Sequence, residues 1–515
     1  MIYSIVSATL VGIHAKQVLV EVDLLNRLPA ISIVGLPGIS VKESADRIRS
    51  AILQSGYPMP RKRIVINLAP ADLKKQGTAF DLPIAIAILL AQKDMYSSRA
   101  SAALFVGELS LDGSLRPIRG ALSFAILARD MGCQFLVLPK GNVEEAAMVR
   151  DIVICGFQSL REILDWISHQ TSNPALPYLN NTTAHTSLLD MRDVQGQAFA
   201  KRALEIAAAG GHNILLLGSP GCGKSMLAQR MTSILPALQF QEALEITQIH
   251  SCFDAGAGLI QKRPFRAPHH SISLSALTGT AKLLPGEISL AHNGVLFLDE
   301  IIEFRRDVLE ALRTPMQDGF IKLRRANGAY SFPSRFSLIA AANPCPCGWL
   351  NHPTKICRCR PAQIERYQAK LSGPLLDRID MHVWMDPVSP QEILTDLAPE
   401  GSTQIQARVE KAREAQIQRV RSGTKKSHGS VFSNANLSAK ELHHNLIQDD
   451  HLKRWFLEQI EQRDLSARAW NSILKLARTI ADLAQEEQIQ KTHILEAFLY
   501  KRNLFSTMKE RTCRS

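Results

Sequence analysis

The stretch GSPGCGKS at residues 218–225 constrains this chain more than any other. It follows the apolar run NILLL and precedes SMLAQRMTSIL, a run with helical spacing. A G-x-x-x-x-G-K-[ST] sequence between a strand and a helix turns its backbone N–H groups inward around phosphates, and the helix N-terminus adds positive potential there. Gly218, Ser219, Pro220, Gly221, Cys222 and Gly223 form the candidate cradle. Lys224 reaches the β- and γ-phosphates, and Ser225 ligates Mg²⁺. A second apolar run, GVLFLDE at 294–300, ends in two carboxylates. In a phosphate-loop enzyme Asp299 holds Mg²⁺ through water and Glu300 polarises the attacking water. ATP and Mg²⁺ are the expected cofactors.

At 515 residues the chain is too long for one core. Residues 1–167 alternate short β-rich runs (QVLVEVDL, AISIVGL, RIVINLA, FLVLPKG) with helical stretches, which predicts a compact α/β or α+β domain. The Ser-, Thr-, Asn- and Pro-rich segment at 168–189 reads as a linker. Residues 190–388 contain HNILLLG, GVLFLDE and FSLIAAAN, near-continuous apolar strands of the kind buried on both faces of a parallel sheet. Residues 389–515 turn helical, with Ile473, Leu476, Ile480 and Leu483 on one face. The N-terminus has no basic region before its apolar stretch, which excludes a signal peptide. The longest apolar run, LPIAIAILLA, is about half the length of a membrane-spanning helix. A cytoplasmic protein without membrane association is expected. Sixty Lys+Arg against 48 Asp+Glu give a net charge of +12, which suits a polyanionic partner, nucleic acid first.

Four of the nine cysteines crowd into NPCPCGWLNHPTKICRCR, residues 343–360. Cys345, Cys347, Cys357 and Cys359 offer four thiolates, the donor set of a closed structural Zn²⁺ site. Their C-x-C spacing is tighter than the usual C-x₂-C. Free thiols, a redox pair and an iron–sulfur cluster are the alternatives. Lys355, Arg358 and Arg360 would project from such a loop toward DNA. Cys222 occupies a variable position of the phosphate loop, and Cys133, Cys155, Cys252 and Cys513 read as structural or incidental.

SPGCGKS, LFLDE, the asparagine of AAANP and SGPLLDRID resemble the AAA+ ATPases. RPFRAPHH (263–270), PGEISLAHNGVLFLDE (285–300), NPCPCG (343–348), LSGPLLDRIDMHV (371–383) and LSARAWNSILKLARTIADL (465–483) are similar to the magnesium-chelatase-like branch, and within it to the ComM (YifB) family. The resemblance spans essentially the whole chain. It implies an AAA+ parallel-sheet core with a C-terminal helical lid. It implies that Asn343 acts as sensor 1, that Arg378 is an arginine finger offered to a neighbouring subunit, and that Arg468 is sensor 2 on the lid. Ile302 stands where the family often has proline, just past the acids. The segment 240–292 corresponds to the family's helix-2 insert, and its basic stretch makes Arg266 a DNA candidate. His269 and His270 are adjacent, so hydrogen-bonding or DNA-loop roles are favoured over a metal pair.

FIKLR and AYSFP flank a turn containing Asn327-Gly328, a hairpin signal. Lys322 and Arg324 share one face of the first strand, and Arg325 lies at its end. The resemblance makes this a hairpin pointing into a ring's pore, where it would track a phosphate backbone. The first domain resembles the Lon protease domain through KKQGTAFDLPIAIAIL and residues 106–142. Thr78 falls at the serine position and Phe124 at the lysine position, so the domain is expected to be silent and to scaffold the ring or add a basic rim through Lys42, Arg47, Arg49, Arg61, Lys62 and Arg63. The resemblance therefore implies a ring-forming ATPase, a homo-hexamer, that moves single-stranded and branched DNA, promotes branch migration in natural transformation, and meets recombination proteins. A chelatase motor for metal insertion, a Lon-like protease and a non-motor scaffold are the rivals.

Overall fold

The computed structural model describes residues 2–75, 77–169, 189–254, 258–280, 283–325, 328–388, 400–422, 433–437, 441, 449–463 and 465–501. Residues 170–188 of the expected linker, Asn327 and Cys513 lie outside them. Two main sheets form, and they follow different rules. The first is a mixed sheet of seven strands. β1 (Tyr3–Val11) and β2 (His14–Leu25) pair antiparallel from Tyr3↔Val22 to Val11↔His14, while β3 (Ala30–Val34) runs parallel to β4 (Arg63–Ala69). β5 (Ala103–Phe105) joins β1 in parallel, and β6 (Glu108–Leu109) with β7 (Leu115–Arg116) makes a separate ribbon. β8 (Phe135–Pro139) and β9 (Val153–Phe157) complete the order β3-β4-β2-β1-β5-β8-β9. Helix Asp81–Lys93, buried from Asp81 to Leu90, packs on β1 and β2.

The second sheet is entirely parallel. It comprises β10 (Ile214–Gly218), β11 (Phe265–Arg266), β12 (Gly294–Leu298), β15 (Phe336–Ala342) and β16 (Met381–Met385), in the order β11-β12-β15-β10-β16. All five residues of β10 and of β12 are buried. Ile214 and Leu216 enter one apolar cluster, Leu215 and Leu217 another on the opposite face. A strand covered on both faces needs apolar residues at every position, which is why its sequence shows no alternation.

Between β12 and β15 the chain forms the hairpin β13 (Phe320–Arg325) and β14 (Gly328–Pro333). Gly328 closes the expected turn as the first residue of β14, paired with Arg325, so each strand runs one residue further toward the turn than FIKLR and AYSFP. The antiparallel register decides this. Ile321 pairs with Phe332, and both are buried, which leaves Lys322 and Arg324 on the outer face.

Helices Ser402–Ser422, Asp450–Gln462, Ala467–Leu483 and Lys491–Tyr500 follow. Ser466 caps the third by accepting from the Ala469 N–H at 3.2 Å. Ile473, Leu476, Ile480 and Leu483 are buried as their spacing predicts, in the same cluster as Leu204 and Leu216. Among the described residues no helix is long and apolar enough to cross a membrane.

The first sheet meets the second through the turn between β1 and β2. Ile13 is buried in a cluster with Leu215, Leu277 and Phe332. Its carbonyl accepts from Gln248 Nε2 at 3.2 Å, and the Gly120 N–H donates to the Ser251 carbonyl at 3.0 Å. Close to this junction lies Glu145, 1% exposed, which accepts from the Leu122 N–H at 2.9 Å. Burial pushes its carboxyl from 4.5 up to about 7. The folded state therefore holds more protons than the unfolded one between those two values, and stability falls as pH rises through that window. Glu145→Gln is expected to flatten this part of the stability–pH curve, measured by urea midpoints between about pH 5 and pH 7.5. An unchanged slope would place the titration elsewhere.

Candidate active site

β10 delivers its last residue, Gly218, to a loop that ends at helix Lys224–Ile234. Gly221 and Gly223 have φ of +81° and +91°, and a Cβ at either would meet no atom within 4 Å. Backbone conformation rather than crowding calls for glycine here, and it leaves open space above the loop. The Lys224 ammonium folds back onto the loop, donating to the Gly218 carbonyl at 2.8 Å, the Ser219 carbonyl at 2.9 Å and Asn343 Oδ1 at 3.2 Å. Burial draws it below the usual lysine range. Cys222 is buried beneath Gly218, and burial raises its thiol, so it takes a packing role in the loop.

The acids meet the loop from β12. Ser225 Oγ donates to Asp299 Oδ2 at 2.7 Å, and Asp299 Oδ1 accepts from the Glu300 N–H at 3.0 Å. Glu300 is exposed and adopts a left-handed conformation with φ +50° and ψ +46°. A non-glycine residue held there is strained, a cost that concentrates at functional sites. Lys224, Ser225, Asp299, Glu300 and Asn343 thus converge at the carboxyl ends of β10, β12 and β15. An ammonium resting on carbonyls, a hydroxyl–carboxylate pair and an open glycine cradle fit a magnesium nucleotide.

The two arginines lie elsewhere. Asn213, the residue before β10, donates from Nδ2 to the Arg378 carbonyl at 3.3 Å, and its N–H donates to Asp380 Oδ2 at 3.1 Å. Arg378 therefore sits at the amino ends of β10 and β16. β10 spans five residues, roughly 16 Å, which separates it from Lys224. Arg378 and Arg468 line one cleft of about 430 Å³ with Gln317, Asp377, Asp380 and Lys475. Burial, then the charges of Arg468 and Arg313, push the Arg378 guanidinium below its ordinary range. It donates to Gln317 Oε1 and to the Pro374 carbonyl, both at 2.8 Å, while its buried Nε finds no acceptor among the described residues. Sequence reasoning missed Arg313, Gln317 and Lys475, because only the fold brings them here.

The remaining candidates separate. Lys322 and Arg324 are exposed on the hairpin and form no ion pair among the described residues. The side chain of Arg325 lies outside the described residues. Arg266 is engaged within the chain, donating to Glu287 from Nε at 2.6 Å and Nη2 at 2.7 Å. The rings of His269 and His270 lie 4.0 Å apart, with His269 Nδ1 2.8 Å from Ser271 Oγ. In the first domain Thr78 bonds Glu108, and Phe124 is buried in an apolar cluster, so no amine stands ready as a base in that pair. Arg47 is paired with Asp81 at 3.0 Å and does not join the basic rim as a free charge.

The four cysteines do converge. The Sγ atoms of Cys345, Cys347, Cys357 and Cys359 all lie within 4.8 Å of one another. Cys345 to Cys347 is 3.4 Å, and Cys357 is 3.6 Å from each of them. Four sulfurs about 2.3 Å from one zinc stand about 3.8 Å apart, close to this spacing. Against the cost of burial, the Trp349 and Arg358 N–H groups hold the Cys347 thiol down to about 6.

A five-stranded parallel sheet with this order, a phosphate loop on its inner strand and an acid pair two strands away define an AAA+ type phosphate-loop ATPase core. Residues 190–393 match the family described as magnesium chelatase, subunit ChlI, residues 20–142 match subunit ChlI of Mg-chelatase, and residues 399–501 match its C-terminal part. The chain is 43% identical over 500 residues to the competence protein ComM of Haemophilus influenzae, covering 95% of each. It is 42% identical over 505 residues to YifB of Salmonella typhimurium, again covering 95% of each. The chain belongs to the ComM (YifB) family of magnesium-chelatase-like AAA+ ATPases.

Arg468 lies in the first turn of helix Ala467–Leu483, near the positive end of the helix dipole and beside Arg378. The helix end and Arg378 act against a cation here, and Asp377 and Asp380 of the same cleft offset them only in part. Arg468→Gln is expected to raise the unfolding free energy by about 0.5–1 kcal/mol at low salt and by nothing measurable at high salt. Denaturant midpoints at the two ionic strengths check this.

Proposed function

We propose that the chain is the subunit of a ring, a homo-hexamer, that hydrolyses ATP to move DNA and drives branch migration of recombination intermediates. The single observation that carries the ring is the distance between the two half-sites. Lys224 and the acids stand at one edge of the parallel sheet, Arg378 and Arg468 at the other. No subunit can close both around one nucleotide, but a neighbour docked edge to edge can.

In this reading Lys224 exchanges its loop carbonyls for β- and γ-phosphate oxygens, and Ser225 and Asp299 hold Mg²⁺. Magnesium, when bound, neutralises charge on those oxygens. Glu300 polarises the lytic water and Asn343 orients it. Arg378 and Arg468, offered by the next subunit, stabilise charge on the transferring phosphoryl group. Zinc held by Cys345, Cys347, Cys357 and Cys359 is a closed structural site without chemistry of its own. The Haemophilus relative is a competence protein, which supports a role in natural transformation, and we place that role in the cytoplasm. Lys322 and Arg324, exposed on one face of the hairpin, supply the sequence-independent grip on single-stranded and branched DNA. A second reading, a motor subunit acting on a partner protein during metal insertion, is supported by the match to magnesium chelatase.

Two experiments test this. Lys224→Ala and Arg378→Ala chains are each expected to lose ATP turnover by about 10³-fold or more alone, and to recover part of it when mixed. Only arginines acting between subunits permit recovery, so none on mixing would reject the shared site. Lys322→Ala with Arg324→Ala is expected to lower displacement on a four-way junction at least about tenfold and to reduce the salt slope of DNA binding by about two. If DNA neither stimulates wild-type ATPase nor is moved by it, the chelatase reading takes precedence.

A further inference from the structure

The four-cysteine loop leaves β15 immediately after Asn343, at the sheet edge that carries the phosphate loop. From Asn343 to Arg360 it forms no helix or strand. Short-range hydrogen bonds and the buried Cys345 and Leu350 fix its first half. The Gly348 N–H donates to the Cys345 carbonyl at 2.9 Å, and Gln368 Nε2 donates to the Pro344 carbonyl at 3.0 Å. Cys345 is fully buried in a cluster with Leu217 of β10 and Ala342 of β15. The sulfur cluster gathers the rest.

This loop presses directly on the nucleotide site. Gly348 is buried against Pro220 of the phosphate loop, and a Cβ there would come 2.6 Å from Pro220 Cδ and 2.7 Å from Cγ. Gly348 also has φ +79°, so glycine alone allows both the turn and the approach. Asn343, the residue from which the loop departs, holds Lys224 at 3.2 Å. The loop thus braces the phosphate loop at two places, Pro220 and Lys224. Of the three residues expected to project toward DNA, Arg358 and Arg360 are exposed and Lys355 is not free. The Lys355 ammonium lies 3.8 Å from the Trp349 ring centroid, turned onto its own loop.

We infer that the metal-holding cysteine loop is a structural part of the nucleotide site: it sets the position of the phosphate loop through Gly348 and Pro220, so that metal occupancy controls nucleotide affinity. Cys347 and Gly348 are adjacent, so a thiolate fixed at Cys347 fixes the glycine that touches Pro220. With the metal gone, the loop keeps its hydrogen bonds and the buried Cys345 and Leu350, but loses the tie that joins Cys345 and Cys347 to Cys357 and Cys359. The inference rests on the proposed zinc site, and it assigns that site a positioning role toward nucleotide rather than toward DNA.

The test uses the full chain with zinc and a fluorescent ADP analogue in Mg²⁺. Cys359→Ser removes one half-buried thiolate. It is expected to lose zinc and to weaken analogue binding about tenfold or more, with the far-ultraviolet dichroism of the wild type. Gly348→Ala leaves all four cysteines in place. It is expected to keep zinc and still weaken the analogue by a comparable factor, which a merely general destabilisation by metal loss does not produce. Analogue binding within about twofold of wild type in the zinc-free Cys359→Ser chain, or in Gly348→Ala, overturns the inference. The two readings fail differently. A wild-type chain that takes up no zinc removes the metal site and this inference with it. A chain that takes up zinc but binds nucleotide equally well without it keeps the metal site and loses only its coupling to the phosphate loop.

Discussion

The common direction of five strands is the constraint on which the rest of the molecule depends. A parallel sheet has two unlike edges, because every strand ends on the same side. β10 lies inside the sheet, bonded to β15 and β16 and buried at all five positions. Its carboxyl end supplies the phosphate loop, and its amino end, at Asn213, holds Arg378 and Asp380. The same strand therefore carries the phosphate loop and the Arg378 cluster on opposite sides of the subunit.

Each half is held in a state that isolated folding would not choose. Lys224 is partly desolvated and satisfied by carbonyls, Glu300 is left-handed, and Arg378 faces two other guanidinium groups. These features lower stability and are offset by the dense apolar clusters on both faces of the sheet. A phosphate anion offsets the electrostatic part of this cost, at Lys224 and at Arg378. The hydrolytic reading gains its physical basis here.

Much of this was legible in advance, for a simple reason. Gly218 to Ser225 is one strand–loop–helix turn, so spacing alone places its groups. Asp299 and Glu300 directly follow one strand, and the absence of alternation in GVLFL already said that both faces are covered. The helix face of Ile473, Leu476, Ile480 and Leu483 followed from its period. Other features were not legible. Nothing in RPFRAPHH said that Arg266 would be paired with Glu287, which lies on a separate helix. Nothing in the hairpin said that Gly328 would pair with Arg325, because register depends on the burial of Ile321 and Phe332. Gly348 gave no sign of its contact with Pro220, 128 positions away in the chain.

The amino-acid sequence by itself determined a phosphate loop, an acid pair, four clustered thiols and a basic hairpin, since each is built from near neighbours whose geometry is set by local backbone rules. The tertiary structure alone decided how they are shared out. It put Lys224 and Arg378 on opposite edges, drew Arg313 and Arg468 to Arg378, and seated the cysteine loop on the phosphate loop. Those relations depend on strand order, direction and packing between distant segments, and no spacing along the chain encodes them.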